Sequence, residues 1–201
     1  MNVPNKITIC RIILAIFLLV LLMFPVEKIG MNFPEFILNG SAGVLQISSK
    51  YIICGVIFLV ASLTDFLDGY LARKYNIVTD LGKVMDAIAD KILVNGVLIL
   101  LATEGHLSPV IPIIIVSRDI IVDSIKMVAG QKSGAVGASK AGKLKTAIML
   151  VGITLMLFQD LPFSLWNINV SRVLILIATV LSVLSGIQYY HKNKKFIFDT
   201  K

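Results

Sequence analysis

Tyr51-Ile-Ile-Cys54-Gly55-Val-Ile-Phe58-Leu-Val-Ala61-Ser-Leu-Thr-Asp65-Phe-Leu-Asp68-Gly69-Tyr-Leu-Ala72-Arg73-Lys74-Tyr75 is the stretch whose reading decides the fold. It is an apolar run long enough to cross a bilayer, which takes about 20 mainly apolar residues. It also carries two carboxylates, each costing roughly 2.5–3.5 kcal/mol inside a membrane helix on insertion scales. A segment with both properties belongs in lipid and has a chemical reason for its acids. The rest of the chain agrees. Of its 201 residues 57% are hydrophobic and only 15% charged, with a mean hydropathy of +0.88. A soluble domain carries about 25% charged residues, so this composition cannot wet a globular surface.

Working outward, five further apolar segments appear. The six expected spans are 7–25, 51–75, 82–102, 107–129, 143–158 and 170–190, with no repeat or low-complexity tract between them. The expectation is an all-α, polytopic membrane protein: one domain over 1–201, built as a six-transmembrane-helix bundle. The first segment resembles a signal peptide, with Lys6 and Arg11 as its charged start. However, Pro25-Val26-Glu27-Lys28 offers no small-x-small cleavage site, so a retained helix is expected. The long connection 26–50 has no assigned role. The small residues around 130–142 are expected to form a flexible cytoplasmic loop.

The net charge of +7 fits anionic lipid headgroups. Nucleic acid is excluded as a partner, because no aromatic-plus-basic module is present. Placing both termini in the cytoplasm puts sixteen of the nineteen lysines and arginines on the inner side, leaving Lys28, Lys50 and Arg172 outside. Tyr189 and Tyr190 then suit an inner aromatic belt and Trp166 an outer one. Cys10 and Cys54 lie in apolar runs without metal-ligand spacing and read as buried small hydrophobes. His106 and His191 receive no chemistry. Gly142-Lys143 lacks the upstream glycine and strand of a phosphate-binding loop.

Four aspartates gather in or beside two consecutive spans: Asp65, Asp68, Asp86 and Asp90. Asp65 and Asp68 share a helix face, continued by Gly69, Ala72 and Arg73. Gly82, Asp86 and Asp90 step by four along the next helix. Gly69 and Gly82 allow a close approach of helix or ligand. Two such faces can oppose each other as an all-oxygen pocket, whose hard donors favour Mg²⁺ or Mn²⁺ over zinc. Asp65 lies about 21 Å along its helix at 1.5 Å per residue, so the acids sit toward the cytoplasmic end. The competing structural reading is that they pair with lysine and arginine, Lys91 and Arg73 being the nearest cations, to hold the bundle together.

Taken together, Asp65-Phe-Leu-Asp68-Gly69-Tyr-Leu-Ala72-Arg73, eight residues, then Gly82-Lys-Val-Met-Asp86-Ala-Ile-Ala-Asp90 resembles in full the signature of the CDP-alcohol phosphotransferases, D-x-x-D-G-x-x-A-R-x8-G-x-x-x-D-x-x-x-D. The resemblance implies that Asp65, Asp68, Asp86 and Asp90 bind two metal ions. It implies that Asp90 is the general base on the acceptor hydroxyl. It implies that Asp68, Gly69, Ala72, Arg73 and Gly82 line the site of the CDP group. Pro4-Asn5-Lys-Ile-Thr8-Ile-Cys-Arg11 is similar to the opening motif of the bacterial phosphatidylglycerophosphate synthase branch. Ser117-Arg118-Asp119 and Gly142-Lys143-Leu-Lys145-Thr146 are similar to two later elements of that branch. That likeness implies CDP-diacylglycerol as donor and glycerol 3-phosphate as acceptor. Arg118, Lys143 and Lys145 are then the candidates for the acceptor phosphate, with Asn5, Thr8 and Arg11 as an N-terminal motif. It also implies an enzyme of glycerophospholipid synthesis, a homodimer among membrane lipids in the bacterial cytoplasmic membrane, with its active site on the cytoplasmic side.

Thr146-Ala-Ile-Met149 departs from the T-x-x-Q of that branch. Inositol phosphate, serine and phosphatidylglycerol therefore remain as alternative acceptors. A cation- or proton-coupled transporter is the reading from a different class, since intramembrane carboxylates also mark ion paths. It predicts internal repeats and broken helices with charge at the membrane midplane.

Overall fold

The computed structural model describes residues 3–24, 33–40, 43–74, 79–133 and 140–198, and within these some side chains, including those of Asp68, Ala72 and Arg73, fall outside the description. Six helices make up most of the described residues: α1 (Val3–Met23), α2 (Ser49–Lys74), α3 (Asp80–Thr103), α4 (Val110–Ser133), α5 (Lys140–Leu157) and α6 (Val170–Phe198). They match the six segments expected from hydropathy to within several residues at each end. Two stretches, Asn5–Met23 and Val170–Lys194, are long and apolar enough to cross a membrane by length and composition.

The all-α expectation needs one correction. Part of the 26–50 connection is an antiparallel hairpin, β1 (Glu35–Gly40) with β2 (Gly43–Ser48), in register from Glu35 opposite Ser48 to Gly40 opposite Gly43. Short runs of Phe, Ile, Leu and Val bounded by glycines are what a paired strand needs. The hairpin rests on a single 3-10 turn at Phe163–Trp166. The Ser49 backbone N–H and hydroxyl both donate to the Pro34 carbonyl, tying the hairpin base to the first turn of α2.

Hydrogen bonds show how the helices alternate in direction. Lys50 at the start of α2 donates to the carbonyls of Leu22 (2.8 Å) and Phe24 (3.3 Å) at the end of α1. Tyr51 donates to Glu104, just past α3. At the opposite end, Thr79 before α3 donates to Asn5 in the first turns of α1. One end of the bundle therefore gathers the starts of α1, α3 and α5 with the ends of α2, α4 and α6. Helix α1 packs on α2 and α3, and α6 packs on α4 and α5; α2 with α5 and α3 with α4 join the halves.

The main apolar cluster of the interior is contributed by all six helices, with Leu18, Phe58, Leu101, Ile115, Ile153 and Ile175 in it. The outside is apolar too. Helix α1 exposes Ile13, Ile16, Phe17 and Val20; α6 exposes Val173, Leu176, Val180 and Leu184. On α6 the buried face mixes Ser171, Thr179, Ser182 and Ser185 with Ile175 and Ala178. Small polar residues between helices and branched aliphatic ones outside are the pattern of a helix bathed in lipid. Asp160 secures the start of α6, accepting from the Ser171 N–H (2.7 Å) and hydroxyl (2.6 Å).

Three smaller expectations change. Cys54 is buried, but Cys10 is exposed on the outward side of α1. Tyr189 is buried against Val122 and Ile125 instead of sitting in a belt; Tyr190 is exposed. Of the expected loop around 130–142, Gly130 lies in α4 and Gly142 in α5, while 134–139 lie outside the described residues.

Candidate active site

The acids of α2 and α3 meet at the end of the bundle where α1 begins. Asn5, Thr8 and Arg11 recur every three residues, which places them on one face of α1. All three are buried, Arg11 to 1% exposure. That face meets the start of α3. Thr79 caps α3, its hydroxyl accepting from the Gly82 N–H (3.0 Å) while donating to the Asn5 side-chain oxygen (3.3 Å). A Cβ on Gly82 would lie 2.8 Å from that oxygen and 2.9 Å from the Thr79 hydroxyl. Glycine is thus required where α3 crosses α1.

Two turns further along α1, Arg11 reaches the carboxylates. Its Nη1 donates to Asp65 Oδ1 and to Asp86 Oδ1, the latter at 2.8 Å. One guanidinium nitrogen therefore joins an acid of α2 to an acid of α3. Helical periodicity located both acids; nothing in it could show that α1 supplies their cation. The pairing expected of a purely structural role is present, but through a different residue. Lys91 is turned to Asp123 of α4, which Lys126 also approaches at 3.3 Å. Asp68, Ala72 and Arg73 lie in α2, and their side chains lie outside the described residues; Gly69 is half-buried beside them.

Asp90, one turn beyond Asp86, faces the other half of the bundle. It lines a small cavity with Lys91, Val94 and Asn95 of α3, Ile115 and Asp119 of α4, and Lys145, Thr146 and Met149 of α5. Asp86, Asp119, Lys145 and Arg11 are the charges that act on it. Asp119 accepts from Lys145 Nζ and from Arg118 Nη1, each at 2.8 Å. The three acceptor-phosphate candidates therefore part company. Lys145 is buried and in the cavity. Lys143 is exposed. Arg118 is turned to α6, where Nε donates to the Ser182 carbonyl (2.9 Å) and Nη2 to the Ser185 hydroxyl (2.6 Å). Asp119, next to Arg118 in the quoted motif, is a further member of the site, and its only signal in the sequence is that motif.

Among the described residues no three acidic, histidine or cysteine side chains close up around a single point. The donor chemistry nonetheless suits a hard divalent cation, because carboxylate oxygens are its preferred ligands. Asp65 and Asp86 already share one positively charged partner, as two ligands of an ion would. Both helices run unbroken through their acids, in contrast to the discontinuous helices that a transporter site predicts.

Residues 1–184 match the family model described as CDP-alcohol phosphatidyltransferase. The CDP-diacylglycerol–glycerol-3-phosphate 3-phosphatidyltransferase of Bacillus subtilis (strain 168) is 33% identical over 193 residues, 96% of this chain and 95% of that one. The protein of the same name from Rickettsia felis is 29% identical over 196 residues, 97% of each chain. Among solved structures, the Mycobacterium tuberculosis phosphatidylinositol phosphate synthase with CDP-DAG bound superposes with a TM-score of 0.62. It is 20% identical, and the match covers 94% of this chain and 85% of that one, which makes it a likeness of fold.

Proposed function

The chain belongs to the CDP-alcohol phosphatidyltransferase family and is an enzyme of that class; on that premise we propose that it transfers the phosphatidyl group of CDP-diacylglycerol to sn-glycerol 3-phosphate, releasing CMP. The observation that carries the reading is the convergence of acids from two helices at one end of the bundle, with Asp90 and Lys145 in one cavity beside them. The names of the relatives supply the acceptor.

In this reading the six helices each cross the membrane, with both termini and the site on the cytoplasmic side, and 1–201 acts as a single domain. The working form is a homodimer. Asp90 takes the proton of the acceptor hydroxyl. The acceptor oxygen bonds to the phosphorus that carries diacylglycerol. The bond from that phosphorus to the oxygen it shares with CMP breaks, and the electron pair leaves on CMP. Lys145, held by Asp119, faces the phosphate of glycerol 3-phosphate. Gly69 and Ala72 leave room for the CDP group, Gly82 borders it where α3 crosses α1, and Arg73 offers it a planar two-point fork. Asp65, Asp68, Asp86 and Asp90 would hold two Mg²⁺ or Mn²⁺ ions. Bound there, the ions supply Lewis-acid charge that offsets the diphosphate and the departing CMP. The cost of placing four carboxylates together thereby acquires a purpose.

The test is CMP release by the purified protein with CDP-diacylglycerol, Mg²⁺ or Mn²⁺ and a panel of acceptors, with Asp90→Asn as control. Turnover with glycerol 3-phosphate, lost in the variant, is expected. Turnover solely with inositol phosphate, serine or phosphatidylglycerol would keep the chemistry and change the acceptor. No turnover with any of them, in folded protein, would overturn the assignment.

A further inference from the structure

We propose that Arg11 is an internal stand-in for a divalent ion: its guanidinium offsets part of the charge of Asp65 and Asp86 and must leave them before an ion can bind there. The inference rests on the reading of the four aspartates as metal ligands.

The geometry makes the two states exclusive. A single nitrogen, Nη1, holds one oxygen from each acid, at 2.8 Å in the case of Asp86. A magnesium-sized ion shared by the same two oxygens would stand about 2.0–2.1 Å from each. It would therefore take the space in which that nitrogen now lies, and two cations so close repel strongly. The arginine is also delivered to this point and not merely found there. Asn5, two turns earlier on the same face, is fixed to Thr79 at the cap of α3. Its backbone is anchored while its side chain, with four rotatable bonds, can swing its head away. Arg11 is 1% exposed, whereas the Asp65 and Asp86 side chains are 41% and 46% exposed, so the acids stay open to an ion from solvent. Removing the guanidinium without replacing it would leave two like charges facing each other, partly screened by solvent, which is destabilising.

Two consequences follow from linkage. Arg11 stabilises the metal-free fold, and for the same reason it weakens the first ion's binding, because the ion pair must be broken before the ion is bound. The guanidinium offsets one of the two negative charges before loading, and a divalent ion would offset both after it.

The experiment titrates detergent-purified protein with Mn²⁺, following free Mn²⁺ by its electron paramagnetic resonance and protein stability by the melting temperature. Wild type and Arg11→Gln are compared. The variant is expected to melt lower than wild type without metal. It is also expected to bind Mn²⁺ with a midpoint at least threefold lower and to gain more in melting temperature on saturation. A midpoint equal to or above that of wild type would overturn the proposal and make Arg11 a brace that holds the ligands in place for the ion. If the wild type takes up no Mn²⁺ saturably, the metal reading of the aspartates fails, and this inference with it. Since Arg11→Gln can fail to fold, Arg11→Lys is measured beside it. Lysine keeps the charge but loses the rigid fork, so a smaller shift in the same direction is expected. An unchanged or raised midpoint in folded Arg11→Lys overturns the proposal just as well.

Discussion

Lys145 is the buried lysine among the described residues, and a cation in that position must be matched. Its partner Asp119 is shared with Arg118, so one carboxylate stands between two positive groups. The remaining positive charge faces Asp90 across the cavity, where an anionic acceptor would bring its phosphate close to the base. A hydrogen bond to a charged group contributes about 1.5–3 kcal/mol. Lys145→Ala should accordingly raise the KM for glycerol 3-phosphate by roughly 10- to 100-fold, with little change in the KM for CDP-diacylglycerol. Steady-state CMP release with each substrate varied in turn measures both, and equal rises would move Lys145 out of the acceptor site. At this scale the acids were legible in the sequence because a charge inside an apolar run has few innocent explanations. Their partners were not. Periodicity shows which residues share a face of one helix, and it is silent on which helix that face meets. For that reason Arg11 read as part of a terminal motif and Lys91 as a neighbour of the wrong acids.

Arg118 shows the same limit between elements. The likeness of Ser117-Arg118-Asp119 to a motif of the family branch made it a candidate for the acceptor phosphate, and the structure shows its guanidinium joining α4 to α6 through the Ser182 carbonyl and the Ser185 hydroxyl. Gly186 makes room for the stem: a Cβ there would lie 3.2 Å from Arg118 Cγ. Arg118→Ala should destabilise the folded protein by about 1.5–3 kcal/mol through these charge-assisted bonds. The check is a lowered melting temperature in detergent, with KM values for both substrates staying near wild type in the fraction that remains folded. A selective rise in the glycerol 3-phosphate KM at unchanged stability would return Arg118 to the acceptor pocket. The helices themselves were readable because each needs a long apolar run, and such runs stand out in any window of about 20 residues. The β1–β2 hairpin escaped for the opposite reason. Its strands are six residues each, too short for that window, and Phe36-Ile-Leu reads equally well as a piece of interfacial helix. The glycines at 40 and 43 were the signal that distinguishes the two.

Across the whole molecule, charge is concentrated at one end and the flanks are aliphatic. That division is what a membrane demands of a protein that, in the proposed reading, takes its donor from the lipid and its acceptor from water. In a background of Cys10→Ser and Cys54→Ala, Gln46→Cys in the hairpin and Lys192→Cys near the end of α6 report on opposite sides. An impermeant maleimide added to intact cells should label the first, and the second only after lysis. Labelling of both from outside would overturn the topology with six crossings and cytoplasmic termini. The tie from Arg11 also sets a timetable. Asp86 follows it by 75 residues, and at about 5–20 residues per second a ribosome takes roughly 4–15 s to bring it out. Throughout that interval the first helix has no Asp86 to accept from it, and for much of it no Asp65 either. Its arginine has to wait at the headgroups or inside the insertion machinery. The first helix can therefore pack on the second as soon as that is made, but it completes its docking only with the third, and a nascent chain stalled before α3 emerges should hold α1 without its tie to Asp86.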